Sequence, residues 1–412
     1  MAGEVAGMSA PGQPQNTIYL PKGFSFSALS AGIKVSGRLD LALVEACLGT
    51  TAAALFTKNR VVAAPVEIGR DHLAKMRGRM RAVIVNSGNA NCATGKPGLQ
   101  ACERICRETA GALGLKPEEV FPSSTGIIGV LLPVKKIAAK VPELAAGCEP
   151  TQDSMGQFAQ AIMTTDTRRK LASAQFRSGK SKVSLLGIAK GSGMIHPQMA
   201  TMLVYIFTDI AASPKELAHH LREASDQTFN CMSVDGDMST NDTVLLLASG
   251  KSGVRLTGSL ATKKFSDALL GICQSLAGQI VADGEGVRHV IHLSIEQAQN
   301  RQEALRVARA IAHSLLVKTA WAGADPNWGR ILAAIGACGV PVDPNRVSIY
   351  IEGQMVCRGG VGCHFDSLRA HANLSQPRCE IVVRLGRGSG AAGFTTTDLT
   401  EEYVRINADY ST

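Results

Sequence analysis

The residue types best suited to chemistry in this chain lie in a glycine-rich turn at residues 190–203. The turn reads Lys-Gly-Ser-Gly-Met-Ile-His-Pro-Gln-Met-Ala-Thr-Met-Leu, so a lysine and three small residues lead into an apolar stretch. Backbone N–H groups in such a turn can cradle a phosphate. The P-loop pattern, however, requires Gly-Lys followed by Ser or Thr, and here the lysine precedes the glycines. A lone Gly-Ser-Gly is more typical of a simple turn.

Three shorter segments combine small polar residues with charged ones. They are residues 122–129 (Pro-Ser-Ser-Thr-Gly-Ile-Ile-Gly), 164–167 (Thr-Thr-Asp-Thr) and 283–286 (Asp-Gly-Glu-Gly). Taken alone, they are most simply a capped polar turn, a helix-terminal cluster and a loop. Residues 235–242 carry three aspartates but lack the Gly and Glu spacing of an EF-hand, so no metal site is predicted.

Taken together, these segments closely resemble the ornithine acetyltransferase (glutamate N-acetyltransferase) family. Residues 199–203 (Met-Ala-Thr-Met-Leu) resemble the region where this family cuts its own chain before the threonine. Further family-like segments are residues 85–91 (Val-Asn-Ser-Gly-Asn-Ala-Asn), 233–242 (Ser-Val-Asp-Gly-Asp-Met-Ser-Thr-Asn-Asp) and 325–330 (Asp-Pro-Asn-Trp-Gly-Arg). The resemblance covers nearly the whole chain.

The resemblance implies self-cleavage between Ala200 and Thr201, followed by covalent catalysis. A threonine hydroxyl is a poor nucleophile near neutral pH, and a new chain start supplies its own base, since an α-amino group has a pKa of about 7.7–8.0. Thr201 would take acetyl from N2-acetylornithine and pass it to glutamate in a ping-pong reaction of arginine biosynthesis. Two alternatives stay open: a self-processing amidase or aminopeptidase, and a non-catalytic amino-acid-binding homologue that remains uncut.

The same resemblance assigns the other site residues. Thr125 and Gly126 match the family's oxyanion hole, in which a hydroxyl and a backbone N–H stabilise the negative oxygen of acyl transfer. The residues carried over as substrate-binding are Thr165, Lys190, Thr201, Glu285, Asn407 and Thr412. No metal or organic cofactor is expected. Acetyl-CoA is a co-substrate of some members, and no residue pattern decides whether this chain accepts it.

Two segments depart from the family pattern. Residues 287–289 (Val-Arg-His) follow the Asp-Gly-Glu-Gly segment, and residues 320–324 (Ala-Trp-Ala-Gly-Ala) precede the segment at 325–330. Both lie near expected substrate segments in sequence. They leave the prediction of self-cleavage intact and leave the acceptor preference open.

The elements that must position these residues alternate irregularly along the chain. Hydrophobic periodicity predicts strands over 51–57, 81–85, 183–188, 203–210, 243–248, 346–351 and 379–385, and helices over 99–113, 155–163, 214–228, 265–281 and 301–316. The order lacks a βαβ rhythm, which favours layered mixed sheets and helices, an α/β protein of the α+β type, over a Rossmann fold or barrel.

The family resemblance implies a self-cleaving fold with an N-terminal nucleophile, and the glycine-rich stretch at 283–286 predicts a domain boundary after Gly286. Residues 1–286 would form the main catalytic α/β domain. Residues 287–412 would form a smaller C-terminal α/β domain whose tail returns to the active site. The resemblance also implies a two-plus-two heterotetramer of the cleaved fragments.

Composition and charge favour a small-molecule enzyme of the cytoplasm. The net charge is +9, but the densest basic groups, residues 168–170 (Arg-Arg-Lys) and 135–136 (Lys-Lys), are short, so acidic small substrates are favoured over nucleic acid. Eleven cysteines lack CxxC pairs, so reduced thiols are expected, with Cys102 and Cys106 packed in a core. Residues 1–15 lack a secretory signal, and no apolar run approaches the roughly 18 residues of a membrane span.

Overall fold

The computed structural model describes residues 17–196 and 202–409, whose helices and strands interleave along the chain. The strands are β1 (Phe24–Leu29), β2 (Leu41–Ala46), β3 (Thr51–Phe56), β4 (Ala82–Asn89), β5 (Val120–Ile127), β6 (Lys170–Ser178), β7 (Ser181–Lys190), β8 (Leu203–Thr208), β9 (Thr243–Ala248), β10 (Val290–Ala298), β11 (Ser348–Ile351), β12 (Gln354–Arg358), β13 (Val361–Gly362), β14 (Arg378–Arg384) and β15 (Gly390–Thr397). The helices are α1 (Ala64–Lys75), α2 (Gly95–Leu113), α3 (Val134–Ala146), α4 (Gln152–Ala161), α5 (Pro214–Gln227), α6 (Ser259–Ala282), α7 (Arg301–Ala312), α8 (Leu315–Ala322), α9 (Trp328–Gly336), α10 (Ser367–Leu374) and α11 (Glu401–Asp409).

These strands form three sheets with mixed strand directions. The sheet orders are β1-β2-β4-β5, β3-β9-β8-β7-β6 and β13-β12-β11-β14-β10-β15. Strands β4 and β5 pair in parallel, as do β8 and β9, whereas the other pairs in the first two sheets are antiparallel. The expected α+β class with layered mixed sheets is confirmed.

The four- and five-stranded sheets stack face to face because their strands alternate two sets of apolar side chains. Tyr205 and Phe207 of β8 share a core with Val83 of β4. The intervening Val204 and Ile206 lie in a second core with α5 and α6. Successive side chains of a strand point to opposite faces of the sheet, so each sheet buries both faces. The helices α1, α2 and α3 cover the far side of the four-stranded sheet, which gives four layers.

Charged strand ends meet at one edge of the five-stranded sheet. Because β7 and β8 run in opposite directions, the end of β7 lies beside the start of β8, and Lys190 pairs with Leu203. Lys170, at the start of β6, pairs with Ala189. Leu203 in turn pairs with Thr243 at the start of β9. Residues far apart in sequence are thereby gathered at a single edge.

The helix α6 is long and apolar enough, by length and composition, to cross a membrane, and it is alone in this among the helices at 17–196 and 202–409. Its buried side includes Leu269, Ile272 and Leu276, which lie in the core on the outer face of the five-stranded sheet. The Gln279 side chain also bonds both the N–H and the carbonyl oxygen of Leu171 in β6, at 3.1 and 2.9 Å. Packing on the sheet therefore accounts for the apolar composition of α6.

The six-stranded sheet draws its strands from β10 onward and has its own core. The buried Trp321 of α8 lies in this core with Ile291 and Phe394. The sheet is joined to the preceding part of the chain by Thr397 of β15, whose hydroxyl donates a hydrogen bond to the Val234 carbonyl oxygen at 3.2 Å. The domain boundary after Gly286 stays a prediction.

Two local sequence predictions are wrong in detail. The helix predicted over 301–316 is two helices, because Ser314 lies between them and its hydroxyl caps α8. Residues 122–127, expected to form a polar turn, belong to β5. Their polar side chains find partners inside the fold, as when the Ser124 hydroxyl donates to Asn86 Oδ1 at 2.6 Å.

The cysteines behave as expected for reduced thiols. All eleven lie within the described residues and are free of disulfides. Cys102 and Cys106 are buried together in the core beneath α2, which confirms their predicted packing role.

Candidate active site

The predicted site residues are only partly covered by the structure. Ala200, Thr201 and Thr412 lie outside the described residues. The described chain ends at His196 on one side of the expected cleavage point and resumes at Met202 on the other. The remaining predicted residues are described, and the following contacts place them.

The predicted oxyanion-hole pair lies at the end of β5, next to the end of β4. Gly126 has a φ of +132°, and a Cβ there would lie 2.4 Å from the carbonyl carbon of Gly88, so only glycine fits. The Asn241 amide donates to the carbonyl oxygens of Ser124 and Ala90, at 2.9 and 2.7 Å. These bonds hold Thr125 and Gly126 beside the loop that leads into β9.

Lys190 is the last residue of β7 and is buried, with only 3 % of its surface exposed. Its Nζ lies 3.5 Å from the Thr164 hydroxyl, and Thr165 beside it is half-buried. Burial lowers the pKa of Lys190, and the carboxylates of Asp166 and Asp242 oppose that shift. The site therefore holds a buried amine between two acids.

A buried ion cluster that the sequence did not predict lies next to Lys190. Lys170 Nζ is 2.5 Å from Asp166 Oδ1 and 2.6 Å from Asp283 Oδ2, and all three side chains are almost completely buried. Lys170 was expected to contribute to a basic surface; that expectation is wrong, because two carboxylates compensate its charge in the interior. Burial by itself raises the pKa of Asp166, but Lys170 and Lys190 hold it below its ordinary value.

Asp166 also fixes the start of the glycine-rich turn. Its Oδ1 accepts a hydrogen bond from the Gly191 N–H at 2.7 Å, and its Oδ2 accepts one from the Thr164 N–H at 3.0 Å. The sequence assigned a role in this segment to Thr165 alone. The available signal in the sequence was a single aspartate within an otherwise neutral threonine cluster.

Asp242 is a second functional candidate, for which the sequence predicted no role. It precedes β9 and is 1 % exposed, and its Oδ1 accepts a hydrogen bond from the Met202 N–H at 3.1 Å. Burial raises the pKa of Asp242 well above its ordinary value, although Lys190 acts in the opposite direction. In the sequence this residue stood out only within a family-like segment with three aspartates, whose spacing does not match a calcium site.

Glu285 and Asn407, both carried over from the family as substrate-binding residues, are hydrogen-bonded to each other. Asn407 Nδ2 donates to Glu285 Oε2 at 2.9 Å, although 122 residues separate them in the chain. The Glu285 N–H donates to the Ser192 carbonyl oxygen at 3.2 Å. A Cβ at Gly193 would lie 2.4 Å from Glu285 Oε2, so this glycine allows the carboxylate to approach the turn. Helix α11 therefore brings the end of the described chain to the glycine-rich turn.

Asp235 holds the last described part of the turn. Its two oxygens accept hydrogen bonds from the N–H groups of Met194 and Ile195, at 2.6 and 2.9 Å. The Tyr403 hydroxyl of α11 lies 3.3 Å from the same carboxyl group. Burial raises the pKa of Asp235 to about 6. The carboxyl group thus joins the turn to α11.

The two segments that depart from the family pattern contact the C-terminal sheet. The Arg288 N–H and the His289 ring both bond Asp398, at 3.2 and 2.9 Å. Trp321 is 2 % exposed in the core of the six-stranded sheet. Their effect on acceptor preference stays a prediction.

A group of potential metal ligands occurs away from the predicted residues. His219, His220 and Glu223 of α5 have ligand atoms within 4.8 Å of one another, and no other described residues form such a group. The His220 Nδ1 also lies 3.1 Å from the Ser266 hydroxyl, with which it shares a hydrogen bond. None of the three belongs to the predicted site.

Comparisons with known proteins agree with the resemblance seen in the sequence. The model of the ArgJ family matches residues 25–412. The arginine biosynthesis bifunctional protein ArgJ of Thermus thermophilus is 45 % identical over 395 residues, which are 96 % of this chain and 100 % of that protein. The glutamate N-acetyltransferase of Methanopyrus kandleri is 44 % identical and covers 95 % of this chain and 99 % of its own.

Among solved structures, a crystal structure of arginine biosynthesis bifunctional protein ArgJ from Bacillus halodurans is 39 % identical in sequence. It covers 50 % of this chain and 98 % of that chain, with a TM-score of 0.48.

Proposed function

This chain belongs to the ArgJ family, and from that premise we propose that it is a self-processing acyltransferase that moves acetyl from N2-acetylornithine to glutamate. The products are ornithine and N-acetylglutamate. The names of its relatives, an arginine biosynthesis bifunctional protein and a glutamate N-acetyltransferase, support this activity.

In the proposed reaction, Thr201 acts from the new chain start. Its hydroxyl oxygen bonds to the acetyl carbon of acetylornithine, and its α-amino group takes the hydroxyl proton. The Thr125 hydroxyl and the Gly126 N–H stabilise the negative oxygen of the intermediate. Ornithine leaves with a proton, and the amine of glutamate then takes acetyl from the Thr201 ester, which restores the hydroxyl.

One observation supports this assignment most strongly: residues carried over separately from the family meet in space. The Glu285–Asn407 hydrogen bond joins two of them. Lys190, a third, pairs in the sheet with Leu203, two residues after the expected nucleophile. A carboxylate and a cation near one turn provide complementary partners for the ammonium and carboxylate of an amino acid. We assign amino-acid binding to Lys190, Glu285 and Asn407 on this basis, and to Thr165 and Thr412 on the family resemblance alone.

A two-part experiment tests the proposal. Intact-mass analysis of the denatured protein, with N-terminal sequencing, should give two fragments that separate between Ala200 and Thr201. Labelled acetylornithine should then yield labelled N-acetylglutamate only when glutamate is added. Label released as acetate at the same rate with and without glutamate would favour the amidase, and an uncut chain that binds acetylornithine without turnover would favour the binding protein.

The word "bifunctional" in the names of several relatives favours a second donor, acetyl-CoA. We propose acetyl-CoA as a co-substrate and no organic cofactor. N-acetylglutamate formed from acetyl-CoA and glutamate, without acetylornithine, would support it. No product under conditions in which acetylornithine reacts would refute it.

The two fragments must stay together, because the proposed site residues lie on both sides of the cut. We propose a two-plus-two heterotetramer that works in the cytoplasm, without nucleic-acid or membrane partners. Native mass spectrometry tests the assembly: a mass of one copy of each fragment would refute the tetramer.

A further inference from the structure

Asp242 occupies a fixed position where several strand ends meet. Its carbonyl oxygen accepts a hydrogen bond from the Thr57 N–H at 3.0 Å, just after β3. The next residue, Thr243, donates its N–H to the Met202 carbonyl oxygen at 3.1 Å. The backbone is therefore held on both sides of the Asp242 side chain, which leaves the carboxyl group little freedom to move away from Met202.

The amide that Asp242 binds is the amide formed with Thr201. Asp242 Oδ1 accepts its hydrogen bond from the Met202 N–H at 3.1 Å. That N–H belongs to the peptide group whose carbonyl carbon comes from Thr201, and a peptide group is planar. The hydrogen bond from Asp242 therefore acts directly on the peptide group that follows the expected nucleophile.

Asp209, at the opposite end of β8, provides an internal comparison. It is also buried, and its two oxygens both accept hydrogen bonds, from the N–H groups of Ser184 at 2.9 Å and Lys22 at 3.4 Å. Asp242 Oδ2, by contrast, has no hydrogen-bond partner within residues 17–196 and 202–409. The Asp209 carboxyl group is thus bound to backbone N–H groups through both oxygens, whereas Asp242 binds the Met202 N–H through Oδ1.

Lys190 provides the countercharge. It ends β7 and is 3 % exposed, and its ammonium group favours the ionised form of Asp242 against the effect of burial. Burial is the larger effect and raises the pKa of Asp242 well above its ordinary value, but both forms of the carboxyl group can accept the Met202 N–H. Lys190 at the end of β7 and Asp242 just before β9 therefore flank the start of β8 on its two sides.

We propose that Asp242 is a positioning residue, which holds the Thr201–Met202 peptide group so that the Thr201 hydroxyl reaches its target. The inference rests on the proposed function, since it requires Thr201 to react. In self-cleavage the Thr201 oxygen bonds to the Ala200 carbonyl carbon while the carbon–nitrogen bond between the two residues breaks. The hydroxyl proton ends on the released amine, and water then hydrolyses the ester. Asp242 gains and loses no proton in this balance.

The test measures the rate at which the full chain cleaves itself after cell-free synthesis, as resolved on denaturing gels. The melting temperature of each variant is measured separately to report its stability. The variant Asp242→Ala should cleave about 10²-fold more slowly, the loss expected from a small misplacement of reacting groups. Asp242→Asn keeps an acceptor oxygen and should stay within about tenfold of the wild-type rate. Asp209→Ala is the matched control and should cleave at the wild-type rate even if it melts earlier. The cleaved fraction of Asp242→Asn should show a lower kcat with an unchanged KM.

The outcomes separate this inference from the proposed function. A wild-type chain that cleaves, together with Asp242→Ala cleaving equally fast, would overturn the inference and leave the proposed function standing. Equal slowing in Asp242→Ala and Asp209→Ala would also overturn it, because loss of stability would then explain both. If the wild-type chain itself stays uncut, the proposed function fails and the inference fails with it.

Discussion

Replacing Lys170 by methionine should loosen the contact between the two fragments of the cleaved molecule. Lys170 precedes the expected cut and Asp283 follows it, so their 2.6 Å ion pair would join one fragment to the other. Methionine has a similar length but no charge. The buried carboxylates of Asp166 and Asp283 would then lose their shared cation, and Asp283 would keep only the exposed Arg168, whose Nε lies 3.4 Å from its Oδ1.

The size of the effect follows from the burial of the cluster. All three side chains are at most 3 % exposed, and removing one partner of a buried ion pair costs about 3–5 kcal/mol. With about 2.1 cal/mol/K of unfolding entropy per residue, 412 residues give about 0.9 kcal/mol/K, so the melting temperature should fall by about 3–6 °C. If this free energy is lost from the association of the two fragments, their dissociation constant should rise by a factor of roughly 10² to 10⁴.

The matched control is Lys263→Met. Lys263 also pairs with an aspartate four residues away, Asp267 at 3.0 Å, but its side chain is 74 % exposed. An exposed pair of this kind is worth less than about 1 kcal/mol, so the control should melt within about 1 °C of the wild type. Calorimetry gives the melting temperatures, and size-exclusion chromatography in increasing urea gives the separation of the fragments. Equal behaviour of the two variants would refute the reasoning.

Three further predictions address the glycine at the oxyanion site, the substrate carboxylate and the pH dependence of stability. Gly126→Ala should lower the free energy of unfolding by about 3 kcal/mol or more, through backbone clash and strain, whereas Gly129→Ala meets no atom within 4 Å and should cost about 1–2 kcal/mol; equal urea midpoints would contradict this. Glu285→Gln should raise the KM for acetylornithine about tenfold or more, while Glu296→Gln, a surface change, should leave it unchanged; steady-state kinetics in which both keep the wild-type KM would refute the binding role. Burial raises the pKa of Asp235 to about 6, so the folded chain binds this proton more tightly than the unfolded chain and gains stability as the pH falls from about 6 to about 4. Asp235→Asn should lose that gain, and melting curves with the same pH slope in both proteins would count against it.

Local hydrophobic patterns in the sequence accurately predicted the strands that position the site. The strand predicted over 243–248 is β9 without change, and the strand predicted from residue 203 is β8. These strands are buried on both faces, so their sequence is continuously apolar between polar boundaries. The polar end of β5 was taken for a turn, because serine and threonine favour turns unless the fold supplies partners such as Asn86.

The sequence by itself determined the family and the expected chemistry, because both depend on contiguous motifs that can be recognised without knowledge of the tertiary packing. Residues 199–203 and the Thr125-Gly126 pair can be recognised without knowing what surrounds them. The need for glycine at 126 is visible only in the structure, where its φ is +132° and a Cβ would lie 2.4 Å from the Gly88 carbonyl carbon.

Only the tertiary structure decided which charges are buried and what they bind. Lys170 looked like a surface residue beside two arginines, yet it pairs with Asp283 from 113 residues away. Asp242 resembled an ordinary acidic loop residue in the sequence, yet it accepts a hydrogen bond from the N–H of Met202, 40 residues earlier in the chain. Burial and pairing of this kind depend on strand order, which brings the ends of distant strands to one edge of a sheet and leaves no local mark in the sequence.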